Sequence, residues 1–268
     1  MLLPLQGRRI AYDLVGAEDA PTICITHSLA SDGGSWAEQV PALLDGGFRV
    51  LRLDMRGHGG SDPVSGDYTM AALADDVAQV LAALAIPRVH YLGLSIGGMI
   101  GQAFALAHGE RLISAMWCDT LPASPSGGAD IWAQRISTVR GANSLAPLAD
   151  VTVERWLTES FKETHPGRWQ QIRDTVVGTT PAGYLGCCAA ILDFDFVPRL
   201  PSVRVPTLVV CGADDAGTPA SENRRLAGLV PGARYEEMAQ CRHFPNVERP
   251  AEFNRIMTGW LEAHKRAR

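Results

Sequence analysis

The chain has 268 residues, 46% hydrophobic and 20% charged, with a formal net charge of −5. This is ordinary globular composition, and without a long basic run it excludes a nucleic-acid surface. No apolar stretch reaches the roughly 18 residues that a membrane span needs.

At the N-terminus, the apolar residues of Met1-Leu2-Leu3-Pro4-Leu5 precede Arg8 and Arg9 instead of following them, so no signal peptide is expected. Ile10–Val15 alternates after a turn at Gly7 and predicts an early antiparallel strand. Thr22–Thr26 is a continuous apolar run, the pattern of a strand covered on both faces. Trp36–Leu44 reads as helix, Arg49–Leu53 as strand, and Met70–Leu84 as a helix that stops before Pro87. Val89–Leu94 is a strand, Gly97–His108 a helix, and Leu112–Cys118 a strand.

This alternation predicts a parallel sheet with helices on both faces and right-handed crossovers. It breaks between 120 and 200, where Trp132, Trp156, Phe161, Trp169 and Tyr184 lie in a mostly helical stretch. Strand patterns return at Thr207–Cys211 and Arg234–Met238, each followed by a helix. The expected organisation is therefore one α/β core, 1–119 and 201–268, with a helical lid at 120–200. Such a lid covers the end of the sheet where strand C-termini gather and ligands bind.

Gly93-Leu94-Ser95-Ile96-Gly97 is a G-x-S-x-G motif placed between a buried strand and a helix. A turn this tight strains the serine backbone and lifts Oγ out of the fold, and the flanking glycines leave room for it. Ser95 is the expected nucleophile. The helix that follows aims its dipole and free N–H groups at the site. The N–H groups of Ile96 and of Leu29, in the loop His27-Ser28-Leu29, are the expected oxyanion donors.

Seven histidines are present. The chain order nucleophile, acid, histidine requires a late one, and His243 follows the last strand. The acid belongs after the preceding strand, in Gly212-Ala213-Asp214-Asp215-Ala216-Gly217-Thr218-Pro219. Only one of two adjacent carboxylates can face the imidazole. Asp215 is favoured because it stands four residues before Pro219, which opens the next helix. No metal or cofactor is expected. The six cysteines, Cys24, Cys118, Cys187, Cys188, Cys211 and Cys241, form no CxxC pair and no zinc spacing. They read as core side chains in a reducing cytoplasm.

Taken together, the segments His27-Ser28-Leu29 with Trp36, Asp54-Met55-Arg56-Gly57-His58-Gly59-Gly60-Ser61-Asp62, the serine motif, Gly212 to Pro219 and His243-Phe244-Pro245-Asn246-Val247-Glu248 resemble the α/β-hydrolase superfamily. The resemblance implies a mostly parallel eight-stranded α/β-hydrolase sheet flanked by helices, with the lid inserted after the sixth strand. It maps the family's catalytic residues onto Ser95, Asp215 and His243. Trp132 with Arg135, and Gly183-Tyr184-Leu185-Gly186-Cys187-Cys188, resemble the lid of 3-oxoadipate enol-lactonases. That implies an ester or lactone substrate met by Trp132, Arg135 and Tyr184. Leu192 departs from the pattern, because many relatives carry a basic residue there. The alternatives are a broad carboxylesterase, an acyl-homoserine-lactone lactonase, a cofactor-free haloperoxidase forming peracids, or a carbon–carbon bond hydrolase. A non-catalytic receptor is a remote further reading. Dehalogenases and epoxide hydrolases place Asp at the elbow, and Ser95 argues against both.

Overall fold

The computed structural model describes residues 1–125 and 127–265; residue 126 of the expected lid and 266–268 of the expected core lie outside the described residues. Eight strands form one sheet: β1 (Leu2–Leu5), β2 (Arg8–Val15), β3 (Thr22–Thr26), β4 (Arg49–Leu53), β5 (Val89–Leu94), β6 (Leu112–Cys118), β7 (Thr207–Gly212) and β8 (Arg234–Met238). Their spatial order is β1-β2-β4-β3-β5-β6-β7-β8. β2 runs antiparallel to both β1 and β4, and every other pairing is parallel. Every residue of β3, β5 and β7 is buried, as strands covered on both faces must be.

The helices of the core are α1 (Val40–Asp45), α2 (Met70–Ala83) and α3 (Ile96–Ala107). Between β6 and β7 come α4 (Ala129–Ala142), α5 (Ala149–Trp156), α6 (Glu159–Thr164), α7 (Pro166–Gly178) and α8 (Pro181–Leu192). After β7 follow α9 (Ala220–Leu229), α10 (Pro245–Glu248) and α11 (Pro250–His264). The helical insertion thus falls after the sixth strand, as expected. The aromatic residues Trp156, Phe161, Trp169 and Tyr184 are buried within it, whereas Trp132 is only partly buried.

Two local expectations fail. Strand β1 carries no alternation to announce it, and it exists because the antiparallel pairing Leu2 to Ala11 through Leu5 to Arg8 satisfies its backbone. The helix expected over Trp36–Leu44 is broken. A short 3-10 turn spans Gly33–Trp36, and α1 begins only at Val40. Pro41 explains the break, since proline is accommodated in the first turn of a helix and not in its interior.

All six cysteines are buried and free. No single helix among the described residues is long and apolar enough to cross a membrane; α7 and α8 pass on composition only as a pair bent by 90°.

His58 and His90 are fully buried. Burial, followed by the neighbouring His27, pushes His58 down to about 3. Burial, His264 and Arg88 push His90 down to about 4. The unfolded chain protonates both near the ordinary value of about 6.5, so stability is lost as pH falls from there towards the folded values. The unfolding free energy measured by urea should drop by about 2 kcal/mol per buried imidazole between pH 7 and pH 5. A flat profile over that interval would show that these two rings are not held neutral.

Candidate active site

The C-terminal ends of the parallel strands β3, β5, β6, β7 and β8 meet at one edge of the sheet, and each delivers one part of the site. Ser95 stands between β5 and α3 with φ 59° and ψ −117°. A non-glycine residue at positive φ is strained by roughly 1–3 kcal/mol. The elbow also demands close approach. A Cβ on Gly93 would sit 2.3 Å from the Gly97 carbonyl oxygen, and one on Gly97 would sit 2.7 Å from Thr26 Oγ1. The Ser95 N–H donates to the Cys118 carbonyl at 2.8 Å, and Thr120 Oγ1 donates to the Ser95 carbonyl at 2.7 Å. The last residue of β6 and the loop just after it therefore hold the strained turn.

Beyond β8, His243 is buried and its Nδ1 lies 2.7 Å from Asp215 Oδ2. Asp215 is buried, whereas Asp214 is exposed. Asp215 Oδ1 accepts from the Gly217 N–H at 2.7 Å and the Thr218 N–H at 3.2 Å, and Oδ2 also accepts from the Thr218 hydroxyl. Burial pushes this carboxyl up, but His243, Thr218 and the Gly217 N–H outweigh it and hold the group well below the usual carboxylate range. It is an anion throughout the neutral range, and it selects the His243 tautomer that carries its proton on Nδ1. Thr218 is a buffer of that carboxylate that sequence reasoning missed, although its position three residues after Asp215 suits a loop closing into a helix.

A second carboxyl stands behind the first. Asp119, at the end of β6, is fully buried, has φ 43°, and accepts from the Gly212 N–H at 2.8 Å through Oδ1. Asp119, Asp215 and His243 each place a polar atom within 4.8 Å of the others. Burial and the adjacent Asp215 charge raise the Asp119 pKa far above its ordinary value. Of the two buried carboxyls, Asp215 is thus the one whose surroundings favour the charged form, and those of Asp119 oppose it.

The loop after β3 carries Ser28 and Leu29. Met55 N–H donates to His27 Nε2 at 3.0 Å, which leaves the ring proton on Nδ1 to donate to the Ser28 carbonyl at 2.8 Å. The Ser31 N–H donates to the same carbonyl at 3.2 Å. In a trans peptide the C=O and the following N–H point in opposite directions. Anchoring the Ser28 carbonyl on His27 and Ser31 thus turns the Leu29 N–H the other way. That N–H and the first N–H of α3, Ile96, make no hydrogen bond among the described residues.

Ser28, Leu29, Ser95, Asp215 and His243 all line one cavity of about 250 Å³. Much of its remaining wall comes from the insertion and includes Trp132, Arg135, Arg155, Trp156 and Tyr184. The three residues expected from the sequence to meet substrate are thus on the cavity wall. Leu192 is 40% exposed at the end of α8 and is not on that wall. Arg155 is an addition that no sequence pattern signals. Desolvation and then the Arg135 charge lower its pKa against the opposing pull of the Asp215 charge, so two guanidinium groups lie near each other here. Neither forms an ion pair with a carboxylate among the described residues; Arg135 reaches only Thr152 Oγ1 at 3.3 Å.

The insertion is fastened to the histidine loop. Glu248 accepts from the Thr158 N–H and the Arg242 N–H, each at 2.6 Å. Arg242 Nη1 donates to the Leu157 carbonyl at 3.0 Å, and the Phe244 N–H donates to Trp156 O at 3.2 Å. The Trp156 ring stacks 6.3 Å from His243. Helix α5, which carries Arg155, is therefore held in register with the imidazole.

A family model described as the alpha/beta hydrolase fold matches residues 21–250. The chain belongs to the α/β-hydrolase fold family. Within this family it is 30% identical over 263 residues to 3-oxoadipate enol-lactonase 1 of Acinetobacter baylyi, covering 98% of this chain and 97% of that protein. The crystal structure of the enol-lactonase from Burkholderia xenovorans LB400 superposes with a TM-score of 0.93 at 35% identity, covering 98% of this chain and 100% of that one. A malate-bound thermophilic esterase from Thermogutta terrifontis superposes with a TM-score of 0.88 at 27% identity, covering 98% of this chain and 97% of that one.

Proposed function

We propose that this protein is a serine hydrolase that opens a carboxylic ester or lactone through an acyl-enzyme on Ser95. The observation that carries the reading is a buried His243–Asp215 pair at 2.7 Å sharing one cavity with a serine held at φ 59°. Ser95 Oγ attacks the carbonyl carbon while His243 Nε2 takes its proton. Asp215 keeps the proton on Nδ1 and stabilises the imidazolium without itself becoming protonated. The N–H groups of Leu29 and Ile96 receive the developing oxyanion. His243 then returns its proton to the leaving oxygen, and water hydrolyses the acyl-enzyme by the same steps in reverse. These steps require no metal or cofactor. Stoichiometric labelling by an organophosphonate, mapped to Ser95 by mass spectrometry, tests the reading; a protein that takes up no label would be a receptor instead.

The substrate we favour is a lactone bearing a free carboxylate, of the enol-lactone kind. Two guanidinium groups without carboxylate partners favour an anion at that end of the cavity, because a charge-assisted pair satisfies both. The similarity to enol-lactonases supports the same choice, and the six buried thiols suit a reducing cytoplasm. Arg135→Ala and Arg155→Ala should each raise KM for a carboxylate-bearing lactone by about tenfold or more, with kcat/KM for neutral p-nitrophenyl acetate changed by less than about threefold. Equal losses on both substrates would mean that the arginines only hold the insertion together.

A further inference from the structure

Ser28 has a second role that its backbone does not explain. Its carbonyl is spent on His27 and Ser31, but its hydroxyl is free to face the cavity. The side chain is 1% exposed, and its Oγ lies 3.5 Å from His243 Nε2. Among the described residues neither atom has another hydrogen-bond contact. Ser28 also directly precedes Leu29, and both residues line the cavity that holds Ser95 and His243.

That location has a chemical meaning. The tetrahedral carbon on Ser95 carries the oxyanion, the acyl chain, Ser95 Oγ and one further oxygen. The fourth oxygen is the leaving group in acylation and the attacking water in deacylation. In both steps it must lie at Nε2, because Nε2 exchanges a proton with it. A hydroxyl on the cavity wall beside Nε2 is within reach of this fourth position.

We propose that Ser28 Oγ is a catalytic hydroxyl that holds the entering and leaving oxygen against His243. In deacylation the water oxygen bonds to the acyl carbon and one water proton passes to Nε2. The bond from that carbon to Ser95 Oγ then breaks, and His243 returns the proton to Ser95. Ser28 Oγ accepts a hydrogen bond from the second water O–H throughout and is not consumed. In acylation the direction reverses, and the Ser28 O–H donates to the ring oxygen of a lactone as it leaves. A good leaving group such as p-nitrophenolate needs no such support, so with that substrate Ser28 matters for deacylation alone.

This inference rests on the acyl-enzyme reading, and the test separates the two. Ser28→Ala should react with a fluorophosphonate at the wild-type rate, yet hydrolyse p-nitrophenyl acetate about tenfold more slowly, the scale of one neutral hydrogen bond. Intact-protein mass spectrometry during turnover should show acetyl accumulating on Ser95 in the variant, and KM should fall together with kcat. Ser28→Thr, which keeps a hydroxyl, should recover most of the deacylation rate. Wild-type turnover in Ser28→Ala would overturn the proposal, as would slow turnover without an accumulated acyl-enzyme. If Ser95→Ala itself stays active, the acyl-enzyme reading fails first and Ser28 falls with it.

Discussion

Ser95→Ala should lower turnover of a p-nitrophenyl short-chain ester by at least about 10³ while the protein remains folded. The loss is large because the site has no substitute nucleophile at the elbow. Two neighbouring hydroxyls are committed elsewhere, since Thr120 Oγ1 donates to the Ser95 carbonyl and Thr26 Oγ1 pairs with Tyr91 at 2.6 Å, and the third, Ser28 Oγ, is not on the elbow. Folding should survive because the turn is held by its backbone, through Ser95 N–H to Cys118 and Met99 N–H to the Ser95 carbonyl at 3.1 Å. Alanine at φ 59° is strained much as serine is, so no large gain in stability is expected. The residual rate would report the oxyanion donors and binding alone. Near-normal turnover in this variant, with circular dichroism unchanged, would remove Ser95 from the chemistry.

The second large effect concerns two neighbouring carboxylates. Asp215→Asn should reduce kcat by about 10³–10⁴, and Asp214→Asn by less than about threefold. An asparagine at 215 can present its amide N–H to His243 Nδ1. The proton then moves to Nε2, the atom that must accept from Ser95, and the base is lost without any change of shape. The asparagine Oδ1 can still accept from the Gly217 and Thr218 N–H groups, so the loop keeps its form. Asp214 is exposed, and its backbone N–H alone is engaged, with the Cys241 carbonyl at 3.0 Å. Its charge is screened and its side chain turns away. The opposite ranking of the two variants, read from kcat at pH 7.5, would move the acid by one position. Because the Asp215 carboxyl is held below the usual range, loss of wild-type activity on acidification should come from protonation of a histidine rather than of this carboxylate.

Much of the fold was legible because its signals are local. Buried parallel strands such as Thr22–Thr26 and Thr207–Gly212 are continuous apolar runs, and period-3.6 patterns mark α2 and α3. The failures are equally physical. Leu2–Leu5 is a strand only because Arg8–Val15 pairs with it, and a pairing partner is not a local property. Trp36–Leu44 has helical spacing, but Pro41 forces the helix to restart.

For the site, sequence alone pointed to the elbow at Ser95, a late histidine at 243, an acid in the Asp214-Asp215 pair with Asp215 favoured, and the loop that carries Leu29. Each follows from a tight strand-to-helix turn or from chain order, which a linear reading can see. Only the tertiary structure decided that Asp215 and not Asp214 meets the imidazole, that Ser28 Oγ stands at Nε2, and that Arg155 joins Arg135 on the cavity wall. These facts depend on which strand ends become neighbours and on how α5 is fastened to residue 242 through Glu248. A side chain's direction across such a junction is set by packing between distant segments, and no periodicity in either segment encodes it.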